Sequence, residues 1–139
     1  MFELYIDYRA PSQEWLFLGY GWGVRDVRGP FLSTPEAEIV LYNWALSPNL
    51  VSTLTLSFSL ALRAQMNAVL VKARGDFGRT QCIVPKPGKS TMTIPSLLSN
   101  TRSGPTIIKL SSVFHLDEQI ATLAGTTDIV AIDELRLMR

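Results

Sequence analysis

One cysteine, one histidine and 18% charged residues in a chain of 139 leave few of the side chains on which enzymes and metalloproteins depend. With Cys82 alone no intrachain disulfide can form, and a single thiol of this kind reads as a small packed strand residue rather than a reactive one. His115, the lone histidine, cannot assemble a cupin-type or multi-imidazole zinc centre. A Ser-His-Asp triad would need it too, yet no Gly-x-Ser-x-Gly elbow accompanies it, so His115 reads as a structural or surface residue. Charge is equally sparse: the formal net charge is +1 and the basic residues are scattered, which argues against nucleic acid as a partner. The longest apolar run, Leu54 to Leu62, is broken by Ser and Thr and is far too short for a bilayer-spanning helix, so no membrane insertion is expected. Met1 is followed at once by Phe2-Glu3-Leu4-Tyr5-Ile6-Asp7-Tyr8, without a basic n-region or a small-residue cleavage site. With neither signal peptide nor disulfide in view, the expectation leans to the cytoplasm.

What the chain does have is apolar residues, at 47%, enough to bury a core without metal or disulfide. Its length fits one domain over residues 1–139, whole or cut from a longer polypeptide. The dominant period is two. Leu54, Leu56, Phe58, Leu60 and Leu62 alternate with Thr53, Thr55, Ser57, Ser59 and Ala61, the pattern of a long half-buried strand. Ala37, Ile39 and Leu41 alternate with Glu36, Glu38, Val40 and Tyr42, and Val69 and Val71 with Ala68, Leu70 and Lys72. Further β-rich stretches cover Phe2 to Tyr8, Trp15 to Tyr20, Thr80 to Val84, Ser90 to Ile94, Thr106 to Val113 and Ile129 to Met138. Turn chemistry separates them, including Gly75-Asp76-Phe77-Gly78 and Pro85-Lys86-Pro87-Gly88-Lys89. The fold class expected is therefore all-β, an antiparallel two-sheet sandwich of about nine strands. Leu116 to Leu123 is the one short helical candidate, and both chain ends are strand-like, which suits pairing of the terminal strands.

Between Gly19 and Phe31 the sequence runs Gly-Tyr-Gly-Trp-Gly-Val-Arg-Asp-Val-Arg-Gly-Pro-Phe, a mixture of permissive backbone, flat rings and ions that fits a shaped loop. Gly21-Trp22, then Asp26, Gly29 and Phe31, then Glu36-Ala37-Glu38-Ile39-Val40-Leu41 resemble the opening of jelly-roll domains attached to bacterial glycosyltransferases and other surface-polysaccharide enzymes. Val69 to Gly75 and Asp128 to Leu137 fall in the order of the same domains, with Phe31 where they often carry Trp and Asp26 where they often carry Glu. The resemblance implies a carbohydrate-binding-module-like jelly roll, noncatalytic, working beside a glycan-processing enzyme. It also implies a structural calcium ion held between loops, for which Asp26, Asp128 and Asp133 are the oxygen donors to consider. No other cofactor is expected.

A pyranose offers an apolar C–H face and a rim of hydroxyls, so a site for it pairs a flat aromatic with ionic hydrogen-bonding groups. Tyr20 or Trp22 would supply the platform and Arg25 with Asp26 the hydroxyl partners; alternatively Trp22 and Phe31 plug one end of the sandwich and Arg25 and Asp26 pair at its surface. Tyr42 and Trp44 form a second aromatic pair, either a shallow sugar platform or a packing edge. The hydroxyls of Thr53 to Ser59 lie beside that surface or form a solvated β face. Two other function classes remain open. One is a structural or oligomerisation module without a sugar ligand. The other is a small glycoside hydrolase, which needs two carboxylates among Glu36, Glu38, Asp128, Asp133 and Glu134 to converge in a cleft.

Overall fold

The computed structural model describes residues 3–10, 16–23, 29–33, 36–42, 51–61, 68–86, 88–98, 105–114 and 129–138. These hold eight strands and no helix: β1 (Glu3–Asp7), β2 (Ala37–Leu41), β3 (Val51–Leu60), β4 (Ala68–Gly75), β5 (Gly78–Pro85), β6 (Lys89–Leu98), β7 (Thr106–Phe114) and β8 (Val130–Met138). They form two antiparallel four-stranded sheets, in the orders β1-β8-β3-β6 and β2-β7-β4-β5. Only β4 and β5 are a simple hairpin, with Gly78 at φ 111° closing the turn opposite Gly75. Every other connection passes from one sheet to the other, which is the double Greek key of a jelly roll. The terminal strands pair, β1 against β8, as the strand-like ends of the sequence suggest.

Alternation decides what lies between the sheets. Leu54, Leu56, Phe58 and Leu60 of β3 face Ile39, Leu41, Val69, Val71, Ile108 and Leu110 of the opposite sheet, all buried. Burying one such side chain contributes about 1.5–3 kcal/mol, so this stripe is the main support of the sandwich.

Eight of the nine expected strands are present among the described residues; the exception is Trp15 to Tyr20. Trp15 lies outside the described residues, and Leu18 makes only an isolated bridge to Ile39. The reason is local. Phe17 adopts φ 68°, which breaks the extended run, and the segment instead exchanges backbone bonds with the free edge of β2. Gly19 N–H donates to Glu38, Val40 N–H to Phe17 and Glu38 N–H to Tyr20, each at 2.8 Å. The loop thereby covers an edge that would otherwise invite pairing with another chain. The helical candidate at Leu116 to Leu123 lies outside the described residues.

Candidate functional site

The register of the β1-β8-β3-β6 sheet brings its outward side chains into two complete cross-strand rows. Tyr5, Arg136, Thr55 and Thr93 form one, and Asp7, Glu134, Ser57 and Thr91 form the next. Thr55, Ser57, Thr91, Glu134 and Arg136 line a shallow cleft of about 190 Å³ between these rows. Each strand places these residues outward because its alternate positions are apolar and needed in the core: Ile6 between Tyr5 and Asp7, Leu135 between Glu134 and Arg136, and Leu56 between Thr55 and Ser57.

Ion pairs hold the charged groups of this face in place. Arg136 Nε meets Glu3 at 2.9 Å, and its guanidinium lies 5.3 Å from the centre of the Tyr5 ring. Glu134 receives Arg9 at 2.9 Å and Lys89 at 3.4 Å, while Arg9 also bonds Asp7 at 2.9 Å. The Arg9 hydrogen bond holds the Asp7 carboxyl below its ordinary pKa. Burial, and then a hydrogen bond to Glu134, push the Tyr5 phenol above its own. The result is a flat surface with an aromatic at one edge, a carboxylate and a guanidinium fixed at its centre, and hydroxyls on the far side.

The described aromatics singled out in the sequence lie elsewhere, whereas Thr55, Ser57 and Glu134 belong to this face. Trp22 is half-buried against the core, bridges to Leu32, and donates its indole N–H to the Glu38 carbonyl at 2.8 Å. Phe31 is buried and pairs with Ala131 beside the first half of β8. Tyr20 is 71% exposed at the edge of β2, and Tyr42 is exposed beyond the end of that strand, with its ring centre 6.4 Å from Phe17. Tyr20 and Tyr42 therefore share the β2 edge, in the other sheet from Tyr5. Arg25, Asp26 and Trp44 lie outside the described residues, as does His115.

Carboxylates are spread over both sheets. Glu36 sits at the start of β2 and bonds Arg74, Glu38 points outward from the same strand, Asp133 is buried in β8, and Glu134 faces outward on the opposite sheet. Of this set only Glu134 lines the cleft between the two rows; Asp133 is buried, and Asp128 lies outside the described residues.

Asp133 is nonetheless unusual. A bulge in the β3–β8 pairing, between Ser57 and Phe58, leaves it as the extra residue, where β1 gives way to the Pro30 to Leu32 segment as the neighbour of β8. Its Oδ1 accepts a long bond from Gly29 N–H at 3.4 Å, while its buried Oδ2 has no hydrogen-bond partner among the described residues. An orphaned buried carboxylate oxygen suits a cation. A calcium ion takes about six to eight oxygens, and no cluster of three or more acidic, histidine or cysteine ligands occurs among the described residues. The described donors thus fall short of a complete site, and Asp26 and Asp128 lie outside them.

No protein family matches the sequence, and no curated protein does. Solved structures match the fold. A carbohydrate-binding module, CBM36, in complex with calcium and xylotriose aligns over 96% of this chain and 98% of its own, with a TM-score of 0.53 and 11% identity. The C-terminal CBM6 of LamC from Zobellia galactanivorans aligns over 99% of each chain, with a TM-score of 0.45 and 9% identity. The chain thus has the β-sandwich fold of carbohydrate-binding modules along nearly its whole length.

Proposed function

We propose that this chain is a noncatalytic carbohydrate-binding module whose working surface is the outer face of β1-β8-β3-β6. The observation that carries the reading is the pair of cross-strand rows on that face: Tyr5, Arg136 and Thr55 beside Asp7, Glu134 and Ser57. Tyr5, 44% exposed, offers ring surface to a sugar's C–H face, while Glu134 and Arg136 present an acceptor and a donor already oriented by Arg9, Lys89 and Glu3. Groups fixed before binding lose little side-chain freedom when a ligand arrives. The shared fold with a module solved with xylotriose supports sugar as the ligand class, and the engagement of both neighbouring carboxylates of this face, Asp7 and Glu134, by Arg9 supports binding rather than hydrolysis. A glycan-processing enzyme domain is the partner this reading expects, in a bacterial polysaccharide pathway. Tyr20 and Tyr42 at the β2 edge remain the alternative aromatic surface, with Trp22 behind them as a plug.

Titration calorimetry against xylotriose and a panel of neutral oligosaccharides tests it. Heat that disappears in Arg136→Ala supports the sheet face; heat that survives there but disappears in Tyr20→Ala moves the site to the β2 edge. Absence of heat with every glycan refutes the sugar reading. Calcium is tested separately: the proposal that Asp133 helps hold it expects added calcium to raise the Tm of the native chain but not of Asp133→Asn. A Tm indifferent to calcium removes the ion.

An oligomerisation module is the second reading, favoured by Ile83 and Ile107, which are 53% and 42% exposed on the other sheet. A monomer by light scattering at high concentration rules it out.

A further inference from the structure

The outer face of β2-β7-β4-β5 has its own cross-strand row, Glu38, Lys109, Arg74 and Arg79, one residue from each strand in direct register. It contains two successive like-charge pairs, Lys109 beside Arg74 and Arg74 beside Arg79. Such pairs directly opposite one another oppose sheet formation. Glu36 offsets part of this: Arg74 grips its two oxygens at 2.9–3.1 Å, and Lys109 approaches at 3.6 Å. Arg79 has no carboxylate against it among the described residues.

These cations border an open cleft of about 420 Å³ at the β4–β5 turn, whose lining includes Arg74, Arg79 and Lys109, one carboxylate, Asp76, and the exposed side chain of Ile107. No side chain closes it at Gly78, where an added Cβ would meet nothing within 4 Å. A volume of this order is enough for a small ligand. Three cations face two carboxylates, Asp76 in the lining and Glu36 against Arg74 and Lys109, so the excess of one charge favours an anionic group beside Arg79, while Glu36, by fixing Arg74, holds that guanidinium oriented before binding. Ile107 adds an apolar floor, which a free inorganic anion does not need and the C–H face of a sugar does.

We propose that this cleft binds the charged group of an acidic polysaccharide, a carboxylate or sulfate carried on a sugar ring, at a site separate from the Tyr5 face. The inference rests on the carbohydrate reading and names the glycan class for the second sheet. Nucleic acid fits less well, because the row is short, with three cations, and no aromatic among the described residues lines the cleft for base stacking.

The test is electrophoresis of the full chain through native gels containing polygalacturonate, dextran sulfate or neutral dextran, with xylotriose calorimetry in parallel. Retardation is expected in an acidic gel and not in the neutral one, and it should fade as salt rises. Whether the polygalacturonate or the dextran sulfate gel retards the chain identifies carboxylate or sulfate as the group bound. Arg79→Gln should weaken it about tenfold, the size of a lost charge-assisted hydrogen bond. Lys86→Ala, which removes the same charge just past the far end of β5, should leave it unchanged. Passage through both acidic gels without retardation, while xylotriose still binds, overturns the cleft and spares the sugar reading. Failure with every glycan overturns both. Retardation that survives Arg79→Gln, or that single-stranded DNA abolishes at equal charge, also overturns the proposal.

Discussion

Replacing Gly29 by Ala tests the packing of the loop against β8 more sharply than any other single change. A Cβ there would lie 1.7 Å from the Ile132 carbonyl oxygen, 2.9 Å from its carbon and 3.0 Å from Tyr8 Cβ. The first two obstacles are backbone, so the Pro30 to Leu32 segment must move away from β8 by more than an ångström. That displacement breaks the bonds from Ile132 N–H to Pro30 at 3.0 Å and from Leu32 N–H to Val130 at 2.8 Å. Two backbone hydrogen bonds at about 1 kcal/mol each, with about 1–3 kcal/mol of overpacking, give a loss of about 3–5 kcal/mol. At about 3 °C per kcal/mol for a domain of this size, the Tm measured by scanning calorimetry should fall by about 9–15 °C. The sign is itself diagnostic. Where the backbone accommodates it, Gly→Ala stabilises by about 0.4–1 kcal/mol through the unfolded chain. A Tm unchanged or raised in Gly29→Ala would refute the close approach of the loop to β8. Gly78→Ala is the control for conformation alone, since its Cβ meets nothing and only φ 111° opposes it, at about 1–3 kcal/mol.

Trp22→Phe should cost only about 1 kcal/mol, because the Glu38 carbonyl it leaves keeps the Gly19 N–H at 2.8 Å; Trp22→Ala, which also empties space beside the core, should cost about 3–5 kcal/mol by urea unfolding. Leu56→Ala, at a position with no exposure in the centre of the sandwich, should cost about 2–5 kcal/mol, and a value below 1 kcal/mol would count against the β3 stripe as the main core. Asp7 is held below its ordinary pKa by Arg9, so its contribution is present above the unfolded value of about 4 and is lost as pH falls through the lower folded one. Asp7→Asn should therefore flatten the decline in urea midpoint below about pH 4. Burial pushes the Cys82 thiol up despite a Ser90 hydrogen bond that lowers it, so iodoacetamide at neutral pH should alkylate it more slowly than free cysteine; equal rates would place the thiol in water.

The fold was legible where one physical requirement dominated. Leu54, Leu56, Phe58 and Leu60 alternate because β3 has one wet and one dry face, and a period of two needs no tertiary information to be seen. Trp15 to Tyr20 misled because its composition is that of a strand, while the positive φ at Phe17 and the covering of the β2 edge depend on what β2 does. Gly29 was visible as a glycine but not as a contact. Its requirement comes from Ile132, a hundred residues away, so sequence neighbours suggest backbone freedom where the structure demands absence of a side chain.

The same distinction explains why the two charged faces were hard to foresee. Thr53, Thr55 and Ser57 could be recognised as a hydroxyl face from β3 alone, but a row is a property of four strands. Tyr5 meets Arg136 only because β1 pairs with β8 in one register, and Arg74 meets Arg79 and Lys109 only because β4 lies between β5 and β7. A shift of one residue in either pairing would turn these side chains into the core and bring apolar ones out. The buried stripes forbid that shift, since Leu135 and Leu137 on β8 and Val71 and Ala73 on β4 have no exposure to give up. Core alternation therefore fixes the register, and the register in turn assembles the polar rows. A substitution that loosens the core at Leu135 should for this reason weaken ligand binding at the Tyr5 face without touching it.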